Sequence, residues 1–146
     1  MNSYVPDKYA VVVFADRDEA ILTTLGDSVG IAFGENANFV NTGFLAELDE
    51  KTKVLCFADE NQDKYKKANA LCSVFYYDAS RINKIFYGNA ILLNNVSVVD
   101  GFTYQTADAL MHYLNEDIKN AYLNNIKNYH LHYDKTDDKP FGTIDF

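Results

Sequence analysis

Apolar residues fall in short runs along most of the chain and in one long periodic stripe near its end. Lys8–Phe14 is an unbroken β-branched and aromatic run, as expected of a central strand covered on both faces. Asp16–Thr24 places acids in a first turn and meets Gly26 as a stop, which predicts a short helix. Ser28–Phe33 then reads as a second strand between glycines. Asn36–Leu48 fits two periods. As a helix it aligns Val40, Phe44 and Leu48; as a strand from Gly43 it opens a hairpin with Lys53–Phe57 through Asp49–Thr52. Thr42 and Gly43 disfavour the helix, so the hairpin is the preferred reading.

Asp59 is positioned to cap a polar helix over Glu60–Leu71, with Tyr65, Ala68 and Cys72 inward. Ser73–Tyr77 reads as an aromatic strand. Lys84–Tyr87 and Ala90–Val99 read as strands joined at Gly88-Asn89, a two-residue hairpin turn. The competing reading there is a helix through Ile82, Ile85, Phe86 and Leu93. The stripe begins at Thr106 and takes in Ala107, Leu110, Met111, Leu114, Ile118, Ala121, Tyr122, Ile126 and Tyr129. That spacing predicts an amphipathic helix over 106–129. The expected fold class is therefore α+β: a mixed sheet of about five to seven strands with one long C-terminal helix. The whole chain, 1–146, reads as a single globular domain with residues 130–146 as its tail.

Composition narrows the function classes. The chain carries 48% hydrophobic and 14% aromatic residues, far from the signature of disorder. Its longest unbroken apolar stretches are too short to cross a membrane, and its N-terminus lacks the basic and apolar regions of a signal peptide, so a cytoplasmic location is expected, in a host cell if the gene is phage-borne. Two cysteines, Cys56 and Cys72, each in an apolar neighbourhood, read as reduced core residues. The net charge is −8, and the surplus lies entirely in the first 63 residues, where twelve acids face four bases. No basic stripe exists to neutralise phosphates, which argues against direct nucleic-acid binding. Abundant Asn, Tyr, Lys, Ile and Phe reflect A/T-rich codons and point to a low-GC bacterium or its phage.

Two constellations could carry chemistry. The runs Val12-Val-Phe-Ala-Asp16 and Leu55-Cys-Phe-Ala-Asp59 end alike, and carboxylates at neighbouring strand ends could hold a hard divalent cation through oxygen ligands. With Asp18 and Glu19 after it, the first run resembles the opening of a response-regulator receiver domain. That resemblance implies a flavodoxin-like three-layer α/β sandwich as the alternative fold, with Asp59 near the phosphoacceptor position. Glu60-Asn-Gln-Asp63 replaces the loop that family carries next, and Asp100 stands where it has a lysine, so any signalling domain of this kind would be degenerate. The second constellation, His130-Leu-His132-Tyr-Asp134, resembles part of the metallo-β-lactamase ligand motif, since imidazoles two apart share one side of a strand. Lys135 takes the place of that motif's next histidine, and too little chain follows for the remaining ligands. Asp16, Asp18, Asp59, His130 and His132 are thus the metal candidates, and none forms a complete set; no cofactor is expected.

With no intact catalytic motif and a one-sided charge surplus, the expected function is non-enzymatic. The chain reads as an acidic protein-binding domain such as an immunity protein, a phage-encoded inhibitor or a nucleic-acid mimic. Its partner would be a protein with a basic surface, held by Glu47, Asp49 and Glu50 with Asp59, Glu60 and Asp63. A phage structural or assembly subunit is the alternative, in which homo-oligomerisation would bury the surplus aromatics.

Overall fold

The computed structural model describes residues 8–34, 38–59, 67–124, 130–131 and 144–145. Its elements follow a hairpin-then-helix rhythm three times over. Strands β1 (Tyr9–Phe14) and β2 (Glu19–Thr24) lead into helix α1 (Leu25–Phe33). Strands β3 (Phe39–Asp49) and β4 (Thr52–Asp59) precede α2 (Ala70–Ser80). Strands β5 (Ala90–Asn95) and β6 (Val99–Asp100) precede α3 (Tyr104–His112), which continues through a π-helical turn, Tyr113–Ile118, into α4 (Lys119–Asn124). His130–Leu131 (β7) and Ile144–Asp145 (β8) pair with each other in the segment expected to be a plain tail.

The six-stranded sheet has the order β2-β1-β5-β4-β3, with β6 pairing β5 at one end. Every pairing is antiparallel. The α+β expectation of five to seven strands with a long C-terminal helix holds, but the sheet is antiparallel throughout and not mixed. The receiver-like alternative does not, because a doubly wound sandwich needs parallel strands. Strand β5 threads between β1 and β4: Val13 and Ala58 both pair with Ala90, and Val12 and Phe57 both pair with Ile91. The two strands with like endings therefore run the same way, separated by an antiparallel one.

Both faces of the sheet are covered. Val11, Val13, Val54, Cys56 and Leu92 point toward α2 and the C-terminal helix, meeting Leu71, Phe75, Leu110, Leu114 and Ile118. Ala10, Val12, Phe14 and Ile91 point the other way, toward α1. Two-sided burial explains the unbroken apolar run of β1.

Local chemistry set the elements that the pattern misassigned. The segment 19–24 is a strand and not a helix: Ala20 pairs with Val13 and Leu22 with Val11 across a tight turn in which Asp18 has φ 46°. The segment 25–33 is a helix and not a strand. Thr24 caps it, accepting the Asp27 N–H at 3.3 Å, while the Thr24 hydroxyl meets the Asp27 carboxylate at 3.0 Å. That Thr-x-x-Asp spacing was the available helix-start signal. The expected cap Asp59 lies at the end of β4, and Asn69 caps α2 instead; of the helix expected over Glu60–Leu71, residues 60–66 lie outside the described set. Ser73–Tyr77 is helical because α2 is buried on all sides from Ala70 to Tyr76, so neither amphipathic period could appear. The Gly88-Asn89 hairpin does not form, since β5 pairs with β1 and β4 and residues 84–87 form no strand. The hairpin of β3 with β4 is as preferred, and longer.

The C-terminal helix buries Ala107, Leu110, Leu114 and Ile118. Steps of four drift around an α-helix of 3.6 residues per turn, and the wider π turn offsets that drift, keeping the stripe on the sheet. The same turn carries Asn115, which binds the edge of β2 as another strand would. The Ala20 N–H donates to its Oδ1 (2.7 Å), and its Nδ2 donates to the Ala20 carbonyl (2.8 Å). Capping of this kind protects a sheet edge from pairing with another chain.

Cys56 on β4 and Cys72 on α2 are both free and buried, with sulfurs 3.8 Å apart. A disulfide needs about 2.05 Å, so these are thiols in contact. Burial pushes the Cys72 thiol well up, with the hydrogen bond to Cys56 adding to it. The thiolate is the reactive form. Both cysteines are therefore expected to resist an aqueous thiol reagent in the folded protein and to react together on denaturation, as thiol titration with and without guanidinium will read.

Candidate functional site

Strand β4 is the axis on which the predicted acidic surface is laid out. Glu47, Asp49 and Glu50 are all exposed at the β3–β4 tip, where the Asp49 carboxylate accepts the Lys51 N–H at 2.8 Å and tightens the turn. Asp59, half-buried, sits at the other end of β4, about 23 Å away at 3.3 Å per residue. Glu60 and Asp63 lie outside the described residues. The structure thus gathers three of the predicted acids at one tip and sends Asp59 to the opposite end of the sheet.

Strand β3 adds apolar character to that tip. Leu45 and Leu48 are 36% and 43% exposed, and Phe39 and Val40 are exposed at the far end of the strand. Between them β3 bulges: Asn41 pairs with Phe57 and Leu45 with Leu55, so β3 takes four steps where β4 takes two. Gly43 occupies the bulge at φ 79°, a left-handed conformation that suits glycine. The Thr42 hydroxyl donates to the Cys56 carbonyl (2.9 Å), and the Asn41 side chain accepts the Gly43 N–H (2.7 Å), replacing lost ladder bonds.

Beside the tip, the hairpin and α3 enclose a cleft of about 380 Å³. Leu48, Asp49 and Thr52 form one wall; Ala109, Leu110 and Tyr113 form much of the other. The Tyr113 hydroxyl donates to the Asp78 carboxylate at 3.3 Å. Partial burial pushes the Tyr113 phenol up, and the negative charges of Asp78 and Asp117 push it further. This cleft joins segments far apart in the chain, and no local sequence signal marks it.

The metal candidates part company. Asp16 and Asp59 do converge, lining a cavity of about 270 Å³ with Lys67 and Asn89 at the start of β5. Asp18 leaves in another direction, close enough to Tyr122 of α4 for its charge to raise that phenol after burial has done so. Among the described residues no third carboxylate lines the cavity, and the Lys67 ammonium reaches the Asp16 carbonyl at 3.5 Å. Among the described residues no three His, Cys, Asp or Glu side chains gather in a metal-binding group. His130 belongs to β7, and His132 lies outside the described residues. His112 is exposed between Asp108 (3.5 Å) and Glu116 (3.1 Å), because it falls off the Leu110–Leu114–Ile118 stripe.

Asp100 is perturbed for a structural reason. Its carboxylate accepts the Gly101 N–H (2.8 Å) and meets Lys8 at 3.1 Å, and these two bonds, the backbone one first, hold it below the usual carboxylate range. A lowered carboxyl contributes stability that is present above its unfolded pKa and lost as pH falls through the folded value. Asp100→Asn is expected to flatten the acid limb of the stability–pH curve below about pH 4, measured by urea unfolding at a series of pH values.

These features define an α+β domain with an antiparallel sheet covered on both faces, an acidic hairpin tip and a cleft beside it. Comparison with known proteins gives no family model, no curated protein and no solved structure that matches the chain. Among the described residues, no helix is long and apolar enough to cross a membrane.

Proposed function

We propose that this protein is a non-enzymatic binding domain that docks on a basic protein surface through the tip of its β3–β4 hairpin. The observation that carries the reading is the exposure of Glu47, Asp49 and Glu50 together on one rigid turn, next to exposed Leu45 and Leu48. Acids steer and orient a basic partner, while apolar neighbours supply the area that water leaves. The negative surplus of the chain extends the steering range at low salt. An immunity protein, an inhibitor that occupies a basic cleft and a nucleic-acid mimic all work in this way.

Cross-linking followed by mass spectrometry identifies the partner and the residues that touch it. With that partner in hand, the variant E47Q/D49N/E50Q is expected to bind about tenfold more weakly, since three exposed pairs at roughly 0.5 kcal/mol each add to about 1.5 kcal/mol. Its affinity should also depend less on salt. Equal affinity of variant and wild type at low ionic strength sinks the reading.

A self-assembling subunit, as in a phage particle, is the second reading. It is favoured by Phe39 and Val40, exposed at 44% and 41% on the edge strand β3, whereas the β2 edge is capped by Asn115. Light scattering that shows a strict monomer at high concentration removes it.

A further inference from the structure

We infer that the cleft between the β3–β4 hairpin and α3 is an anchor pocket for a partner segment carrying one large apolar side chain flanked by lysine or arginine. The inference rests on the docking reading above and names the chemistry that the docked segment must have. At about 380 Å³, the cleft lies at the lower end of the range for ligand pockets, a size that suits one large side chain and little more. Its walls supply the apolar contact: Leu48, 43% exposed, on one side, and Ala109, the buried Leu110 and the half-buried ring of Tyr113 on the other. An exposed leucine on a cleft wall has apolar surface still to bury.

The charge around the mouth selects the flanks. Asp49 stands in the wall itself. Asp78 accepts a hydrogen bond from the Tyr113 hydroxyl, and Asp117 is near enough to act on the same phenol. Asp49 of β3 thus lines the hole itself, while Asp78 of α2 and Asp117 of the π turn lie near the phenol of a lining residue, Tyr113. Glu47 and Glu50 of the tip continue that field. Lys51 and Lys53 are the bases of the hairpin, and Lys51 lines a different cleft together with Lys8. An acidic segment would be repelled here and a neutral one would leave the negative field uncompensated, whereas a basic one brings cations to it while its central side chain fills the hole.

The protein has no tryptophan, so a tryptophan-bearing probe reports on the cleft without background. The probe is a blocked peptide with one central tryptophan between pairs of lysines, titrated into the full chain while indole emission is followed. A saturable blue shift is expected. Ala109→Phe, at an exposed position of α3 that leaves the core untouched, fills the cleft and should weaken binding at least tenfold with unchanged circular dichroism. Peptides with glutamate or glutamine in place of lysine should bind at least tenfold more weakly than the basic one.

The pocket assignment is overturned if Ala109→Phe binds the basic peptide as wild type does. That result describes adsorption on the acidic tip and leaves the docking reading standing. Absence of any blue shift with wild type also overturns it, as does equal binding of the glutamine peptide. The docking reading falls separately, by the charge-neutralised tip variant and its identified partner.

Discussion

Asn69→Ala is expected to lower the unfolding free energy by about 3–5 kcal/mol and the melting temperature by about 10–15 °C in a domain of this size. Asn69 is fully buried at the centre of the molecule, yet every polar atom of its side chain is used. Its Nδ2 donates to the Val13 carbonyl at 2.9 Å and to the Gly88 carbonyl at 3.0 Å, and its Oδ1 accepts the Cys72 N–H at 3.2 Å. Its own backbone N–H donates to the Phe86 carbonyl at 2.7 Å, and its carbonyl accepts the Ser73 hydroxyl at 2.8 Å. One side chain thus ties the end of β1, the turn before β5 and the first turn of α2. Alanine takes a hydrogen-bond partner from each of two carbonyls and one N–H away from water, a loss of about 1–3 kcal/mol for each group left unsatisfied.

The isosteric Asn69→Asp variant separates charge from shape. It keeps the cap acceptor and loses both donors, and it places a carboxylate against two carbonyl oxygens. Burial there raises the folded-state pKa of the new acid above its unfolded value, so its stability relative to wild type is lost as pH rises. The Asp variant should be closer to wild type at pH 4 than at pH 7. Chemical denaturation at the two pH values measures the difference, and an equal deficit at both would contradict the account.

Gly101→Ala is expected to cost about 2–3 kcal/mol. A methyl group at this position would stand 2.6 Å from the Lys8 Cβ and 3.0 Å and 3.1 Å from the Tyr9 carbonyl oxygen and nitrogen. Those atoms are held in place. Tyr9 and Phe102 exchange two backbone hydrogen bonds, at 2.9 Å and 2.7 Å, and Lys8 accepts the Leu25 N–H at 2.9 Å. The close approach of residues 100–102 to the start of β1 therefore requires the missing Cβ and owes nothing to a special φ. The Gly101→Ala protein should lose its Lys8–Asp100 pair as the chains part, and with it the lesser part of the acid-limb slope that Asp100 supplies, the backbone N–H of residue 101 keeping the rest. Thermal unfolding checks the first effect; the second follows from the pH series used for Asp100→Asn. A variant as stable as wild type would mean that β1 and β6 are free to separate.

The candidate site was legible in part. Glu47, Asp49 and Glu50 flank a turn that the alternation of β3 and β4 already implied, so their exposure on one tip followed from local pattern. Asp59 was assigned to the same surface because it is near in sequence, but an eight-residue strand carries its acid to the other end of the sheet. Asp16 and Asp59 were expected at neighbouring strand ends and do share a cavity, though with β5 running between their strands. The cleft beside Tyr113 was illegible, since residues near 48 and 110 meet only through the packing of α3 on the sheet.

Sequence pattern alone determined what period and composition encode: the buried strand at Lys8–Phe14, the preferred hairpin around Asp49–Thr52, the long C-terminal stripe, the buried cysteines and the one-sided charge. Tertiary structure decided the rest. Residues 73–77 are mostly β-branched or aromatic, so their own preferences favour a strand; burial between sheet and helix, with the Asn69 cap, makes them part of α2. Residues 19–24 could begin a helix, and pairing with β1 makes them a strand. A segment covered on both sides carries no amphipathic period, so its conformation is set by the partners that cover it, and those partners lie tens of residues away.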